Sequence, residues 1–169
     1  ATGFGSVILN LYPMIISQIN QVFNMTVPHY IPGGGDSVKK LCTIDANTLQ
    51  SVDYEPISFL VEDLLPPGLH LLAGAPKIGK SWLALWLCLR VAQGQPLWNF
   101  STRPCEVLYL CLEDSFQRIQ SRLFDLTEDA PSTLHFAVMS EQLHNGLVDQ
   151  MEHFLQEHPT TGLVVIDTL

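Results

Sequence analysis

The fold of this chain is decided by the stretch Gly74-Ala75-Pro76-Lys77-Ile78-Gly79-Lys80-Ser81. It matches the pattern GxxxxGK[ST] in full, between a predicted strand and a predicted helix. Glycines let the backbone bend so that successive N–H groups point at phosphate oxygens, and the helix adds the positive end of its dipole. Lys80 can then reach the β- and γ-phosphates, and the Ser81 hydroxyl can ligate Mg²⁺. The whole stretch is therefore predicted to be a phosphate-binding loop.

Apolar strands and amphipathic helices alternate on both sides of this loop. Such alternation predicts an α/β fold with a parallel sheet and helical crossovers. The apolar runs are too short for anything but strands, and the helices show apolar residues at intervals of three and four. The predicted strands are Leu69–Ala73, Glu106–Leu112, Leu134–Val138 and Leu163–Asp167, and the predicted helices are Lys80–Gln93, Asp114–Leu126 and Gly146–Gln156.

Residues 1–35 differ from the rest of the chain. They contain no charged side chain and end in Pro32-Gly33-Gly34-Gly35, which is typical of a flexible link. We therefore divide the chain into an N-terminal segment of unknown role, residues 1–35, and an α/β domain that carries the phosphate-binding loop, residues 36–169. Apolar residues at helical spacing predict a short helix in the segment. This helix could dock on a partner subunit, pack on its own domain, or belong to an appended sequence. Its apolar residues are Ile15, Ile16, Ile19, Val22 and Phe23.

Composition excludes several classes of protein. The 17 acidic and 8 basic residues give a net charge of -9, which argues against a broad electrostatic surface for nucleic acid. The most apolar N-terminal stretch, residues 7–27, is interrupted by polar side chains, so no membrane span is predicted. Cys88, Cys105 and Cys111 lie in apolar stretches and are expected to be buried thiols in a reducing cytoplasm.

Two carboxylates complete the predicted site. Asp167 ends an apolar strand, and its side chain should emerge at the carboxyl edge of the sheet, where it could hold Mg²⁺ directly or through water. Glu113 follows another strand and could orient or deprotonate the attacking water. Asp114 is expected to cap the next helix, while Glu113 could alternatively do no more than favour the positive start of that helix.

Other polar side chains carry weaker predictions. Arg118 and Arg122 lie one turn apart, and a solvated helix face is more typical of such a pair than contact with a neighbouring subunit or DNA. The histidines of the C-terminal half are too scattered along the chain to predict a metal site. These are His135, His144, His153 and His158.

The order of these motifs resembles the RecA-fold ATPases, and within them the RepA-like and DnaB-like hexameric helicases. Besides the phosphate loop, the similarity lies in the lead-in Phe59–Gly68, in Leu110–Asp114 and in Gln120–Leu123, and it covers about residues 43–169. The resemblance implies that Lys80 and Ser81 bind the triphosphate and Mg²⁺. It also implies that Glu113 activates water and Asp167 serves the metal.

The same resemblance implies partners and missing parts. The family forms rings or filaments, binds ATP between subunits and moves single-stranded DNA. Its next strand lies between the phosphate-loop strand and the strand of Asp167, so a chain ending at Leu169 is expected to be truncated, with an interior gap in the sheet. Hydrolysis by such a chain alone is expected to be weak.

The leading hypothesis is therefore the nucleotide-binding portion of an ATP-driven single-stranded-DNA motor or of a recombination-type ATPase. Two other functions stay open at this point. One is a non-catalytic nucleotide-binding switch or adaptor, against which Glu113 argues. The other is a small-molecule kinase, which is less favoured because only four arginines occur and none lies in a lid-like cluster.

Overall fold

The structure, a computed structural model, describes residues 5–11, 43–54, 56–142 and 145–167. It contains an α/β domain. In chain order the strands are β1 Gly5–Leu11, β2 Leu69–Gly74, β3 Glu106–Cys111, β4 Leu134–Ala137 and β5 Thr161–Asp167. The helices are α1 Ala46–Ser51, α2 Lys80–Gln93, α3 Phe116–Leu126 and α4 Leu147–Glu157. Each strand and helix predicted after residue 68 is present, with boundaries shifted by at most two residues.

The strands form one sheet in the order β2-β1-β5-β3-β4. β5, β3 and β4 run parallel, as expected from strands joined by helical crossovers. The helices flank this parallel part, so the architecture is that of a RecA-like P-loop core. The carboxyl ends of β3 and β5 reach the same level, because Cys111 lies opposite Asp167.

β1 departs from the predicted arrangement. It comes from the N-terminal segment and lies between β2 and β5, antiparallel to both. Ile8, for example, lies opposite Leu71 on one side and Ile166 on the other. The interior gap that we expected beside β5 is therefore filled by an earlier part of the same chain, and the sheet is mixed rather than wholly parallel. The short helix predicted around residues 15–23 lies outside the described residues.

The parallel strands are covered on both faces. Val107, Tyr109 and Cys111 of β3 point into the larger core, which contains most of the buried face of α2. Leu108 and Leu110 point the other way and pack with α4 in a second core. Successive side chains of a strand point to opposite faces, so nearly every residue of β3 is apolar and buried.

The cysteines of the described residues are free thiols, as predicted. Cys88 and Cys111 are buried, and Cys105 is half-buried. Burial raises the pKa of the Cys105 thiol to about 11 and that of Cys111 to about 12, so both stay protonated at neutral pH. Among the described residues, none of the helices combines the length and apolar character that a membrane crossing needs.

The position of β1 gives a first testable prediction. Ile8→Pro removes a backbone N–H from a strand with partners on both sides and leaves a ladder acceptor without its donor, so the free energy of unfolding should fall by about 1–3 kcal/mol. Urea denaturation followed by circular dichroism measures the loss. The control Ile8→Val keeps the N–H and the β-branched side chain. Equal stability of Ile8→Pro and Ile8→Val would show that β1 is not paired in solution.

Candidate functional site

The phosphate loop joins the end of β2 to the start of α2. Gly79 precedes the helix with φ 95°, a conformation that favours glycine, and Lys77 is also left-handed with φ 64°. A non-glycine residue held in this region is strained, and such strain is concentrated at ligand sites. The loop therefore has the sharply bent backbone that the sequence pattern predicts.

Lys80 is folded back over this loop. Its Nζ donates to the carbonyl oxygens of Gly74 and Ala75, each at 3.0 Å. The loop is closely packed at Gly74, which lies against the Ile78 side chain. A Cβ added at Gly74 would be only 2.6 Å from Ile78 Cδ1. The ammonium group thus lies at the loop, where incoming anionic oxygens could replace the two carbonyl acceptors.

Asp167 reaches the site because of strand alternation. Along β5, Val165 and Asp167 share a face, and both lie on the side of the sheet that α2 covers. Asp167 is buried, with 8% of its surface exposed. Its carboxylate therefore lies beside the first turn of α2, which carries Ser81.

A polar cavity of about 140 Å³ lies at this edge of the sheet. It brings together the three predicted residues Ser81, Glu113 and Asp167, and Asp114, Arg118 and Arg122 complete its wall. Glu113 is exposed, at a turn in which Asp114 N donates to Cys111 O at 3.2 Å. Hydroxyl and carboxylate oxygens are ligands that Mg²⁺ accepts together with waters. The residues present therefore fit a hydrated magnesium ion.

Tyr109 is a residue of this site that sequence reasoning missed. Its hydroxyl donates to Asp167 Oδ2 at 2.7 Å and lies 3.4 Å from Ser81 O. Burial, and secondarily the nearby Asp167 carboxylate, raises the pKa of Tyr109, so the hydroxyl keeps its proton and remains a donor. The sequence signal for Tyr109 was its place within an otherwise apolar strand. A buried phenol needs a hydrogen-bond partner, and this need could have pointed to the site.

Asp114 does not cap α3 as predicted. Ser115 is the N-cap and accepts from Arg118 N, while Asp114 Oδ1 accepts from Ser115 N at 3.0 Å. The Asp114 carboxylate instead pairs with Arg118 at 3.2 Å and Arg122 at 2.5 Å. Asp114 pairs with the two arginines and does not cap the helix because it faces the side of α3 on which both arginines lie.

Arg122 is therefore not the solvated side chain that we expected. Its side chain is 18% exposed, against 66% for Arg118. Its guanidinium also lies 5.6 Å from the centre of the Trp82 ring, within the range of a cation–π contact. The ion pair with Asp114 and the contact with Trp82 thus hold the Arg122 guanidinium in place at the wall of the cavity.

A family model described as an AAA domain matches residues 38–169. Since this range is most of the chain, the protein belongs to the AAA domain family, and it carries a nucleotide-binding domain of the ATPase type. No curated protein and no solved structure matches the chain.

The Tyr109–Asp167 hydrogen bond gives a second prediction. Tyr109→Phe keeps the ring, which packs 5.9 Å from Phe136, but removes the donor to a buried carboxylate. The free energy of unfolding should fall by about 2 kcal/mol, as for other hydrogen bonds to charged groups. Urea denaturation at neutral pH is the measurement. Tyr54→Phe, at an exposed tyrosine, is the control and should change stability little. Equal effects of the two variants would contradict the prediction.

Proposed function

We propose that this AAA-domain chain binds Mg-ATP and hydrolyses it as the ATP-driven part of a DNA helicase or translocase, or of a recombination-type ATPase that acts on single-stranded DNA. One observation carries the proposal: Ser81, which directly follows Lys80 in the phosphate loop, lines one polar cavity with Glu113 and Asp167, although the three residues are far apart in sequence. ATP and Mg²⁺ are the cofactors that this combination of loop, hydroxyl and carboxylates suits. The proposal has three parts, namely binding, hydrolysis and coupling.

Binding is assigned to Gly74–Ser81 with Asp167. The loop N–H groups and the start of α2 would hold phosphate oxygens. Lys80 Nζ would exchange the carbonyls of Gly74 and Ala75 for β- and γ-phosphate oxygens, gaining charge-assisted hydrogen bonds. Ser81 and Asp167 would hold Mg²⁺, with the Tyr109 hydroxyl keeping the Asp167 carboxylate in place.

Hydrolysis is assigned to Glu113. The attacking water must lose a proton as it bonds to the γ-phosphorus and as the bond from that phosphorus to the departing ADP oxygen breaks. A carboxylate at the rim of the cavity can accept that proton. Glu113 is exposed, so water reaches it, whereas the neighbouring Asp114 is occupied by two arginines. This difference in partners favours Glu113 over Asp114 as the base.

Coupling to single-stranded DNA and assembly into a ring or filament are supported by the resemblance to RepA-like and DnaB-like helicases. One feature of the surface agrees with self-association. Leu71 on β2, Ile78 in the phosphate loop and Trp98 after α2 are each more than half exposed. Exposed large apolar side chains are typical of interaction surfaces. Subunits that meet beside the phosphate loop could share the nucleotide.

Binding is tested by thermal melting. At an Mg-ATP concentration about a hundred times its Kd, binding adds about 2.7 kcal/mol of stability. That corresponds to a rise in Tm of roughly 5 to 10 °C for a domain of this size. Lys80→Ala should abolish the rise, because it removes the cation at the loop. The charge-matched control is Arg103→Ala. The Arg103 guanidinium contacts Ser58 and not the loop, so this variant should keep the rise in Tm. Equal rises in the parent and in Lys80→Ala would refute the binding site.

Hydrolysis and coupling are tested together by phosphate release with and without an oligothymidylate. Turnover of the chain by itself is expected to be slow and to increase with DNA. Glu113→Gln should lower it by about 10²- to 10⁴-fold while Mg-ATP still raises Tm. The control Glu128→Gln changes an exposed glutamate on the loop after α3.

The outcomes separate the assignments. Release that DNA does not increase would overturn the helicase assignment and leave an ATPase. If the parent chain releases phosphate no faster than Glu113→Gln does, with or without DNA, while Mg-ATP still raises its Tm, the result would instead support the non-catalytic switch.

A further inference from the structure

A second cluster of polar side chains lies at the opposite edge of the sheet. Glu106 is the first residue of β3, His135 is the second residue of β4, and His158 is the C-cap of α4, just before β5. The parallel pairing of β3 with β4 and β5 brings these three elements together. The two histidines were judged too far apart in the sequence to share a site, and the sheet places them side by side.

The two imidazoles face one oxygen of the carboxylate. His135 Nε2 lies 3.8 Å and His158 Nδ1 3.5 Å from Glu106 Oε1. Each residue offers a ligand atom, and all three atoms lie within 4.8 Å of one another. Bonds of 2.0–2.1 Å at tetrahedral zinc place neighbouring ligand atoms about 3.3 Å apart. The observed separations are therefore close to the edges of a zinc tetrahedron and longer than ordinary hydrogen bonds.

The surroundings hold these groups in position. Thr160 Oγ1 donates to the other carboxylate oxygen, Glu106 Oε2, at 2.7 Å. This hydrogen bond leaves the other carboxylate oxygen, Glu106 Oε1, facing the two histidines. Phe154 stacks on His158 at 4.3 Å and meets His135 edge-on at 5.3 Å. Partners of this kind orient first-sphere ligands in metal sites.

His135 supplies an independent sign of a missing ligand. Its Nε2 is buried and has no hydrogen-bond partner among the described residues. A buried polar atom without a partner is costly, and a bound ion or water at that atom is a common explanation. The same nitrogen points at Glu106, on the inside of the cluster. The three side chains are also 20–30% exposed, so an ion and a water can reach them.

We propose that Glu106, His135 and His158 bind a divalent transition metal of the zinc class, with water as the fourth ligand. Two imidazoles and one carboxylate suit Zn²⁺ better than Mg²⁺, which prefers oxygen ligands and keeps its waters. The ligands come from β3, β4 and the end of α4, so the bound ion joins three elements at the amino edge of the sheet. The site stabilises the native state and takes no part in the phosphate chemistry at the other edge.

The test uses the chelator-treated full chain without nucleotide, titrated with ZnCl₂ in a calorimeter, with MgCl₂ as the comparison. We expect saturable binding of one Zn²⁺, absent for Mg²⁺, and a higher Tm with Zn²⁺. Co²⁺ in place of Zn²⁺ should give the visible absorption of a four-coordinate ion. Because nucleotide is omitted, failure here and failure of the Mg-ATP site are separate results.

Variants locate the ion. His135→Gln and His158→Gln should each weaken zinc binding by more than tenfold and remove the Co²⁺ absorption. The matched control is His153→Gln, a histidine that is 73% exposed and lies outside the cluster, and it should bind zinc like the parent. Glu106→Gln is the variant for the case in which a histidine variant fails to fold, since its amide can still accept from Thr160. Absence of saturable binding in the parent, or unchanged binding in folded His135→Gln, His158→Gln and Glu106→Gln, would overturn the proposal.

Discussion

The backbone pairing of β1 is the constraint on which the site depends. In the part of the chain that the structure describes, β2 pairs with β1 alone, and β1 in turn pairs with β5. β2 leads into the phosphate loop, and β5 ends in Asp167. The distance between the loop and this carboxylate is therefore set by two ladders of hydrogen bonds that meet on one antiparallel strand. A site assembled from loop and carboxylate needs both ladders in register.

A second link runs through the core. Tyr109 extends from β3 under α2, and its hydroxyl contacts both Asp167 and the carbonyl of Ser81. The phenol has one proton, and the shorter distance assigns it to Asp167, where the acceptor is charged. This link is formed by a side chain whose ring belongs to the apolar core. Core packing and the position of the proposed metal ligand are thus coupled through one residue.

Local sequence patterns were sufficient for the elements, and they named three residues that the structure brings to one cavity, Ser81, Glu113 and Asp167. The strands and helices after residue 68 follow from apolar spacing, and the loop, Glu113 and Asp167 follow from their places at strand ends. β1 could not be found in this way, because its partners lie 59 to 69 residues further along the chain on β2 and 152 to 160 residues further along on β5. The predicted N-cap of α3, Asp114, was wrong for a related reason. Asp114 and Ser115 both suit an N-cap locally, and the tertiary position of Arg122 decides between them.

The histidine cluster also depends on pairing between distant parts of the chain, which local sequence patterns do not reveal. Glu106 and His158 meet because the β3–β5 register shifts at the start of β3, where Glu106 lies opposite Thr161 and Val107 opposite Leu163. Such a bulge re-aims a side chain, and here Glu106 N donates to Thr160 O at 3.1 Å. Gly162, the extra residue, permits it, since a Cβ there would lie 2.7 Å from Cys105 Sγ. One pair of strands therefore presents Asp167 at one edge and Glu106 at the other, and only Asp167 ends a strand in a way that local pattern reveals.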